Sequence, residues 1–253
     1  MDLDATRPFA DSLPGDPDLA QRMAADGYLC LRGLLDRDAV HAARDAIASV
    51  LADDDVLASA TPASDLVFRG GEPPDRGVLE RAHKRINTLD AFTALSEQPG
   101  IRAVMSVLLG DAVRTHARKI CRVKYPHDSY DIVGPHQDFW YVKGAEETYT
   151  CWTPLTDTSA ALGGLAVRPG PQSGGPTPHA QRADSRFHGV DDDGDPRAWA
   201  WSPMRVGDAL VFHSLTVHAG LPNTSAHVRL SVDYRYQRAG APMDPSHVRP
   251  HFE

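Results

Sequence analysis

The sequence predicts a mainly β fold with helices packed on it, in which the strands form an antiparallel sandwich or barrel. The chain of 253 residues contains 20 glycines and 20 prolines, more than an average protein has, which indicates many turns. Apolar residues recur with a helical period up to Gly110 and with a period of two in short segments after it. We therefore predict a mostly helical part at 16–110 and a β core at 111–238.

Start signals place three helices in the first part of the chain. Each predicted helix begins where an Asp can cap it or a Pro can occupy its first turn. These start signals are Asp16-Pro17, Asp36 and Pro99. Residues 1–15 are predicted to be a flexible lead-in. Residues 53–80 are rich in Asp, Gly and Pro, so we predict a long loop there.

Short strands are predicted in the second part, separated by clusters of Pro, Gly and Asp. They span residues 113–125, 134–142, 148–155, 164–167, 208–218 and 227–237. Residues 170–203 show little periodicity, and we predict a lid insertion because long irregular segments in compact domains are usually lids or binding loops. Residues 239–253 are predicted to be a C-terminal tail. Because we find no internal repeat, we predict one domain over 1–253.

Composition and charge restrict the class of partner. Asp and Glu number 34 against 26 Lys and Arg, for a formal charge of −8, and nucleic-acid binding needs a basic surface. No apolar run approaches the length of a membrane span. Three cysteines at no metal-like spacing fit a reducing cytoplasm. We expect a cytoplasmic protein with a small-molecule partner and neither nucleic acid nor membrane, and the oligomeric state is left open.

One ordered set of residues carries chemistry. His136 and Asp138 form an H-x-D on a predicted strand, where residues two apart point to the same face and can bind one ion. His218 lies at the end of a later apolar strand, and Arg229 follows eleven residues on. Two His and one carboxylate form the facial triad of non-haem iron(II) oxygenases, which leaves coordination positions open.

The set resembles the phytanoyl-CoA dioxygenase family of iron(II)/2-oxoglutarate-dependent oxygenases. The resemblance runs over about residues 20–237, in the segments PHQDFWY, YTCWTPL, GGLAVRPGPQSGG, GDALVFHSLTVHAGLPN and RLS. It implies a double-stranded β-helix, or jelly-roll, core with iron at one mouth and the N-terminal helices packed on it. Jelly rolls are one way in which antiparallel chains protect their sheet edges.

The resemblance also implies a role for each site residue. His136, Asp138 and His218 would bind iron(II). Arg229 would pair with the distal carboxylate of 2-oxoglutarate, a task that suits a planar guanidinium able to meet a carboxylate with two hydrogen bonds.

Three further cofactor-binding residues follow from the resemblance by position. Trp152 matches a family tryptophan beside the cosubstrate, Cys121 falls near a site-lining position, and Arg85 falls near a family lysine that contacts 2-oxoglutarate. Two residues after the distal His, some members have a hydroxyl that helps to hold the cosubstrate. This chain has Gly220 there, so that contact must come from elsewhere or be absent.

The reaction implied by the resemblance uses iron(II), 2-oxoglutarate and dioxygen. The cosubstrate is decarboxylated to succinate while a substrate held nearby is oxidised, and hydroxylation is the default outcome. Related halogenases replace the aspartate by a small residue, so Asp138 argues against halogenation. Cyclisation, desaturation and epimerisation remain open. Two other classes also remain: a jelly-roll module that binds a ligand without turnover, and a zinc hydrolase with the same ligand set.

Several residues also have plainer interpretations. Arg229 could be an ion-pair partner of Asp233, and Trp152 could be a core residue. Five histidines outside the set are predicted to face solvent: His116, His127, His227, His247 and His251.

The substrate pocket is predicted less directly. Its expected walls lie in the 53–80 loop, in the segment 127–133 and in the 170–203 insertion, with the candidate residues Phe68, Arg69, His188, Trp199 and Trp201. Arg69, Arg182 and Arg186 are candidates to hold a carboxylate or phosphate. The negative net charge and the lack of a basic cluster argue against an acyl-CoA. We therefore expect a free small molecule, such as a natural-product intermediate, an amino acid or a modified sugar.

Overall fold

The fold is built from two facing sheets with helices on the outer side of the larger one. The computed structural model describes residues 1–127, 133–181, 187–192 and 194–251. Within these residues the strands are β1 Asp11–Ser12, β2 Tyr28–Leu31, β3 Val113–Thr115, β4 Ile120–Lys124, β5 His136–Gln137, β6 Thr148–Pro154, β7 Leu165–Val167, β8 Ala180–Gln181, β9 His188–Gly189, β10 Ala209–His213, β11 Val217–Gly220 and β12 Arg229–Arg238.

The sheet order places the central strand β12 between three neighbours. The large sheet runs β1-β2-β10-β6-β12-β3, and β4 also pairs with β12. The smaller sheet runs β5-β11-β7, and β8 and β9 form a separate pair. Trp152 and Phe212 of the large sheet and Val167 of the smaller one share an apolar cluster, so the two sheets pack face to face.

Helices cover the other face of the large sheet. They are α1 Leu19–Asp26, α2 Arg37–Asp53, α3 Arg76–Ile86, α4 Asp90–Leu95 and α5 Pro99–Leu109. A sixth helix, α6 Asp138–Val142, instead follows β5 of the smaller sheet. Among the described residues, none of these helices is long and apolar enough to cross a membrane. The first five pack into one apolar cluster with β12, and Tyr234 donates its hydroxyl to the carbonyl of Phe92 (2.6 Å) at the foot of α4.

Strand β12 has two faces of opposite character. Leu230, Val232, Tyr234 and Tyr236 belong to the helix-side apolar cluster. The alternate residues are polar and equally buried, and they face the smaller sheet: Arg229, Ser231, Asp233, Arg235 and Gln237. Because side chains alternate along a strand, one segment serves both the core and the space between the sheets.

Two predicted strands are divided in the structure. The segment 208–218 forms β10 in the large sheet and β11 in the smaller sheet, so residues 214–216 carry the chain from one sheet to the other. Residues 113–125 form β3 and β4, and both pair with β12.

The prediction of a continuous strand at 134–142 is wrong. Only His136–Gln137 are extended, and Asp138 begins the short helix α6. The N–H of Phe139 donates to the carbonyl of Ser214 (3.0 Å), and this bond turns the chain away from the sheet.

The helical part also differs from the prediction in three places. Residues 1–15 are fixed to the fold, because β1 pairs with β2 and Phe9 is buried between the sheets. Helix α1 begins at Leu19, three residues after the predicted cap. The predicted loop 53–80 runs into α3, which Asp75 caps by accepting a hydrogen bond from the N–H of Val78 (3.0 Å).

Two histidines predicted to face solvent are buried together. His116 and His247 approach through their Nδ1 atoms (3.2 Å), and His116 Nε2 contacts Gln237 Oε1 (2.9 Å). Burial lowers the pKa of His116 to about 4 and that of His247 to about 3, so both rings are neutral at physiological pH. The pair attaches the C-terminal segment to β12.

We expect the His116–His247 pair to make stability sensitive to acid. An unfolded histidine, with a pKa near 6.5, binds a proton that the folded pair resists, so stability falls as pH drops from about 6.5 towards 4. Thermal unfolding followed by circular dichroism from pH 7 to pH 4.5 measures this dependence. His247→Gln should flatten part of it, while His227→Gln, at an exposed position, should not. Equal slopes in both variants would contradict this assignment.

Candidate metal centre

His136, Asp138 and His218 meet between the two sheets. Their ligand atoms lie within 4.8 Å of one another, and all three side chains are buried. His136 Nε2 lies 3.9 Å from Asp138 Oδ1, and His218 Nε2 lies 3.8 Å from the same oxygen. The two histidines are direct partners across β5 and β11. Asp138 reaches them from the first turn of α6, so the H-x-D works through a strand-to-helix turn and not along one strand.

Each histidine is oriented by a backbone carbonyl. Nδ1 of His136 contacts the oxygen of Gly134 (2.8 Å), and Nδ1 of His218 contacts that of Thr216 (3.0 Å). A carbonyl can only accept, so Nδ1 carries the proton and Nε2 presents its lone pair towards Asp138. Burial lowers the pKa of both rings, which keeps them neutral as metal binding requires.

Asp138 is held as a carboxylate. Burial alone would raise its pKa, but Arg235 and the Thr150 hydroxyl hold that pKa well below its usual range. Arg235 donates from Nε to Oδ2 and from Nη2 to Oδ1, each at 3.1 Å, and Thr150 Oγ1 donates to Oδ2 at 2.5 Å. Two neutral imidazole nitrogens and one carboxylate oxygen fit a non-haem iron(II) ion with open positions.

A narrow cavity beside the metal ligands has the polar groups that a carboxylate needs. Arg229, Ser231 and Trp152 line it together with His218. Arg229 donates from Nη1 to the carbonyl of Leu221 (2.8 Å), while its Nε and the Ser231 hydroxyl are buried with no hydrogen-bond partner in the part of the chain that the structure describes. Unpartnered buried polar atoms in a cavity are available to a ligand. A hydroxyl is therefore present in this cavity although Gly220 has none.

Arg229 is not the ion-pair partner of Asp233. Asp233 instead pairs with Arg122 (2.8 Å), across β12 and β4. Burial, and to a smaller extent the nearby Arg122, lower the pKa of Arg229 to about 10, so it stays a cation at neutral pH. A buried cation beside the metal site favours binding of a dianion such as 2-oxoglutarate.

Gly163 gives Arg229 the space it occupies. Its φ is +77°, and a Cβ there would lie 2.7 Å from Arg229 Nη1 and 2.4 Å from the carbonyl oxygen of Pro222. Since no larger residue fits this backbone and this gap, glycine is required at the wall of the narrow cavity.

A second, larger cavity of about 570 Å³ is lined by His136 and Asp138, and it adjoins the narrow one, with which it shares Arg122, Lys124, Val133 and His136. Its walls come from α3, from β4 with the residues before it, and from the C-terminal segment. Three of the predicted wall segments contribute lining residues, although not the candidates named in them: Arg76, Leu79 and Glu80 from 53–80, Val133 from 127–133, and Phe187 from 170–203. The other lining residues that had not been singled out for the pocket are His83, Arg118, Ile120, Arg122, Val123, Lys124, Tyr141, Val142, Arg235, Ser246, His247 and His251.

The cofactor-binding residues predicted by position divide into two groups. Trp152 lines the narrow cavity, and Cys121 lines the large one, where burial raises the pKa of its thiol to about 12 and keeps it protonated. Arg85 lines neither cavity, which corrects the expectation that it contacts the cosubstrate. It pairs with Asp53 and Asp54 at the end of α2, because α3 turns Leu79 and His83 to the cavity and Arg85 away from it.

The predicted substrate residues in the 53–80 loop do not reach the large cavity. Phe68 packs against Tyr125 (ring centroids 5.6 Å apart) at the edge of the helix-side core. Arg69 is exposed, lies over the Phe68 ring and donates to the carbonyl of Gly70. The Phe68 part of the segment pairs with the residues before β12 at Val67–His227, whereas Arg76, Leu79 and Glu80 at its end do line the large cavity.

The predicted substrate residues in the 170–203 insertion also lie outside both cavities. Trp199 is buried behind the smaller sheet in an apolar cluster, and Trp201 packs against the same cluster. His188 is exposed and accepts the Tyr141 hydroxyl with its backbone carbonyl (2.6 Å), while its neighbour Phe187 lines the large cavity. Arg182 and Arg186 lie outside the described residues.

Arg235 is the most informative residue that the sequence analysis missed. It continues the polar alternation of Arg229, Ser231 and Asp233, so the period of two along RLSVDYRYQ was the signal available for it. No comparable pattern pointed to His247 or His251, which reach the cavity through tertiary contact.

The family model for phytanoyl-CoA dioxygenase (PhyH) matches residues 23–231, which include the three metal ligands, Arg229 and Ser231. The chain belongs to the phytanoyl-CoA dioxygenase family. It is accordingly an oxidoreductase of the iron(II)/2-oxoglutarate-dependent dioxygenase type, and the resemblance seen in the sequence is confirmed. The mainly β jelly-roll fold with added helices is confirmed as well.

Named relatives carry related activities. The chain is 30% identical to the 1-deoxypentalenic acid 11-beta-hydroxylase of Streptomyces arenae, covering 93% of this chain and 88% of that protein. A solved non-heme monooxygenase, ThoJ, aligns over 89% of this chain and 79% of its own, with 21% identity and a TM-score of 0.68. The epimerase SnoN, solved with Fe3+, alpha ketoglutarate and nogalamycin RO, aligns over 90% of this chain and 85% of its own, with 23% identity and a TM-score of 0.61.

We expect Arg229→Gln to weaken 2-oxoglutarate binding while leaving metal binding within about twofold. Losing one partner of a buried charge pair costs ~2–5 kcal/mol, which corresponds to about 30-fold or more in affinity. Anaerobic titrations of iron(II) and then of 2-oxoglutarate measure the two constants separately. Arg238→Gln, at the exposed end of the same strand, is the matched control. Equal losses of metal and cosubstrate affinity would instead indicate a structural role.

Proposed function

We propose that this dioxygenase hydroxylates a small molecule that carries a carboxylate, a natural-product or metabolic intermediate and not an acyl-CoA. The observation that carries the proposal is the cavity of about 570 Å³ that joins the metal ligands to Arg118. This volume suits a compact molecule of drug size. The acid named in the Streptomyces arenae relative belongs to the same chemical class.

Arg118 is the cation in this cavity that supports an acidic substrate. Burial lowers its pKa, and the neighbouring cations Arg235 and Arg122 lower it further. No side chain within the described ranges forms a hydrogen bond or ion pair with it. Asp244 is the carboxylate that acts against this lowering, but it forms no ion pair with Arg118 within the described ranges. A half-buried cation among other cations, with no carboxylate in direct contact there, favours a bound anion.

The rest of the cavity suits a hydrocarbon skeleton. Leu79, Ile120, Val123, Val142 and Phe187 provide apolar walls between Arg118 and the metal ligands. Such walls exclude water and hold an aliphatic C–H bond by shape, so selectivity would come from where the carboxylate is fixed.

The residues of the chain position the reactants. His136, Asp138 and His218 would hold iron(II), and Arg229 and Ser231 would receive the distal carboxylate of 2-oxoglutarate. Bound iron(II), with its cosubstrate and dioxygen, supplies the oxidation of an unactivated C–H bond. The protein contributes orientation, because the narrow cavity is lined by His136 and His218 and the large cavity by His136 and Asp138, so each would place its ligand against a different pair of metal ligands.

Other outcomes of the same chemistry stay within this proposal as alternatives. The solved epimerase shows that the fold also serves epimerisation, and the placement of the substrate decides the outcome. A ligand-binding module without turnover, or a zinc hydrolase, is less well supported, since neither needs Arg229 and Ser231 unpartnered beside the metal ligands.

We also propose a cytoplasmic location, with no nucleic-acid or membrane partner. The three cysteines are free and buried, and the formal charge is −8. We take residues 1–253 as one domain, since β1 and β2 of the helical part belong to the same sheet as β12.

Succinate release tests the proposal. Purified protein with iron(II), 2-oxoglutarate and air should form succinate faster when an acidic substrate is added, and mass spectrometry should find a product heavier by one oxygen atom. The first probe is 1-deoxypentalenic acid, followed by a pool of terpenoid carboxylic acids. His136→Ala is the inactive control. No stimulation by any acid, with a correctly folded and metal-loaded protein, would contradict the proposal.

We expect Arg118→Gln to raise the KM for the acidic substrate at least about tenfold, because a charged hydrogen bond is worth ~1.5–3 kcal/mol. The KM for 2-oxoglutarate should change less than twofold. Arg114→Gln, an exposed arginine on β3, is the control. The methyl ester of the substrate should be processed equally by wild type and Arg118→Gln. If the wild type processed the ester better than the Arg118→Gln variant does, Arg118 would not be recognising the carboxylate.

A further inference from the structure

We propose that Arg235 is a positioning residue that holds Asp138 with a single oxygen facing the metal. The inference rests on the iron centre described above and concerns a residue beyond the 23–231 span of the family model. Arg235 and Asp138 are both buried and form a two-point contact, with Nε to Oδ2 and Nη2 to Oδ1.

The two carboxylate oxygens have different surroundings. Oδ1 lies 3.9 Å and 3.8 Å from the two histidine Nε2 atoms, so it is the oxygen placed to bind the ion. Oδ2 accepts hydrogen bonds from both Arg235 Nε and Thr150 Oγ1. With two donors on Oδ2, rotation of the carboxylate into a two-oxygen contact with the ion would break hydrogen bonds in a buried site.

Single-oxygen binding matters because the ion needs its remaining positions. A facial triad occupies three positions and leaves the others open, as 2-oxoglutarate and dioxygen require. A carboxylate that bound through both oxygens would occupy one of them. Hydrogen-bonded partners of metal ligands commonly control this orientation.

Arg235 is in turn held from the cosubstrate side. Asp233 lies 3.7 Å from Arg235 Nη2 and 2.8 Å from Arg122. A row of alternating charges therefore runs from Arg122 on β4 through Asp233 and Arg235 to Asp138. Among the described residues, the remaining nitrogen of Arg235, Nη1, is buried with no hydrogen-bond partner. The hydrogen bonds of Arg235 therefore run through Nε and Nη2 to Asp138.

The test separates metal binding from folding. Arg235→Gln removes the guanidinium group that donates two hydrogen bonds to Asp138. Arg235→Lys keeps the positive charge but can donate from one nitrogen only. Arg238→Gln is the control on the same strand. Iron(II) affinity is measured by anaerobic titration, and the charge-transfer absorption on adding 2-oxoglutarate is recorded for each variant. Circular dichroism and melting temperature establish the folded fraction, and the constants refer to that fraction.

We expect iron(II) affinity to fall about 10–100-fold in Arg235→Gln, the range usual for partners of metal ligands. Arg235→Lys should recover part of the affinity and still show a shifted or weakened charge-transfer band, and succinate should exceed hydroxylated product. Wild-type affinity and an unchanged band in both variants would overturn the inference. A lower melting temperature with unchanged constants would also overturn it, because a merely structural role predicts that result. If wild type itself shows no band with 2-oxoglutarate, the proposed function fails, which is a separate outcome.

Discussion

The structure depends on a row of buried polar side chains on one face of β12. Charged groups taken out of water destabilise a fold unless each has a partner, and removing one partner is strongly unfavourable. The row therefore fixes every element that supplies a partner. Those partners lie on α6, on β4, before β4 and after β11: Asp138, Arg122, His116 and Leu221.

The opposite face of β12 makes this arrangement possible. Its aromatic and aliphatic side chains are buried against the helices, and Tyr234 and Tyr236 also donate hydrogen bonds to the ends of α4. Apolar burial on one face thus compensates the cost of polar burial on the other. The helical part, which holds no metal ligand, stabilises the strand from which the site is organised.

The period of two in the sequence predicted an antiparallel sandwich or barrel, because short periods are local properties. The ordered motif of His136, Asp138, His218 and Arg229 carried a family resemblance, and that resemblance implied the jelly-roll class and the roles of Arg229 and Trp152. The sequence did not show that Asp138 begins a helix. The period-two pattern predicts a continuous strand, and the chain leaves the sheet because of the hydrogen bond from Phe139 N–H to the carbonyl of Ser214, which the pattern does not contain. Arg85 was placed by sequence position, whereas the rotation of α3 against the sheet decides which residues face the cavity. The tryptophans of the 170–203 insertion were candidates for the pocket because they are large and lie in the predicted lid. No periodic pattern in that segment indicates that they pack behind the smaller sheet.

The walls of the large cavity have one further consequence. Part of that wall comes from segments that carry none of the candidate ligands of the ion or the cosubstrate. His247 and His251 lie after the 23–231 span, and Phe187 lies in an irregular insertion. A change in those segments can alter the shape of the large cavity while the candidate ligands stay intact, which is one physical route by which a single scaffold acquires different substrates.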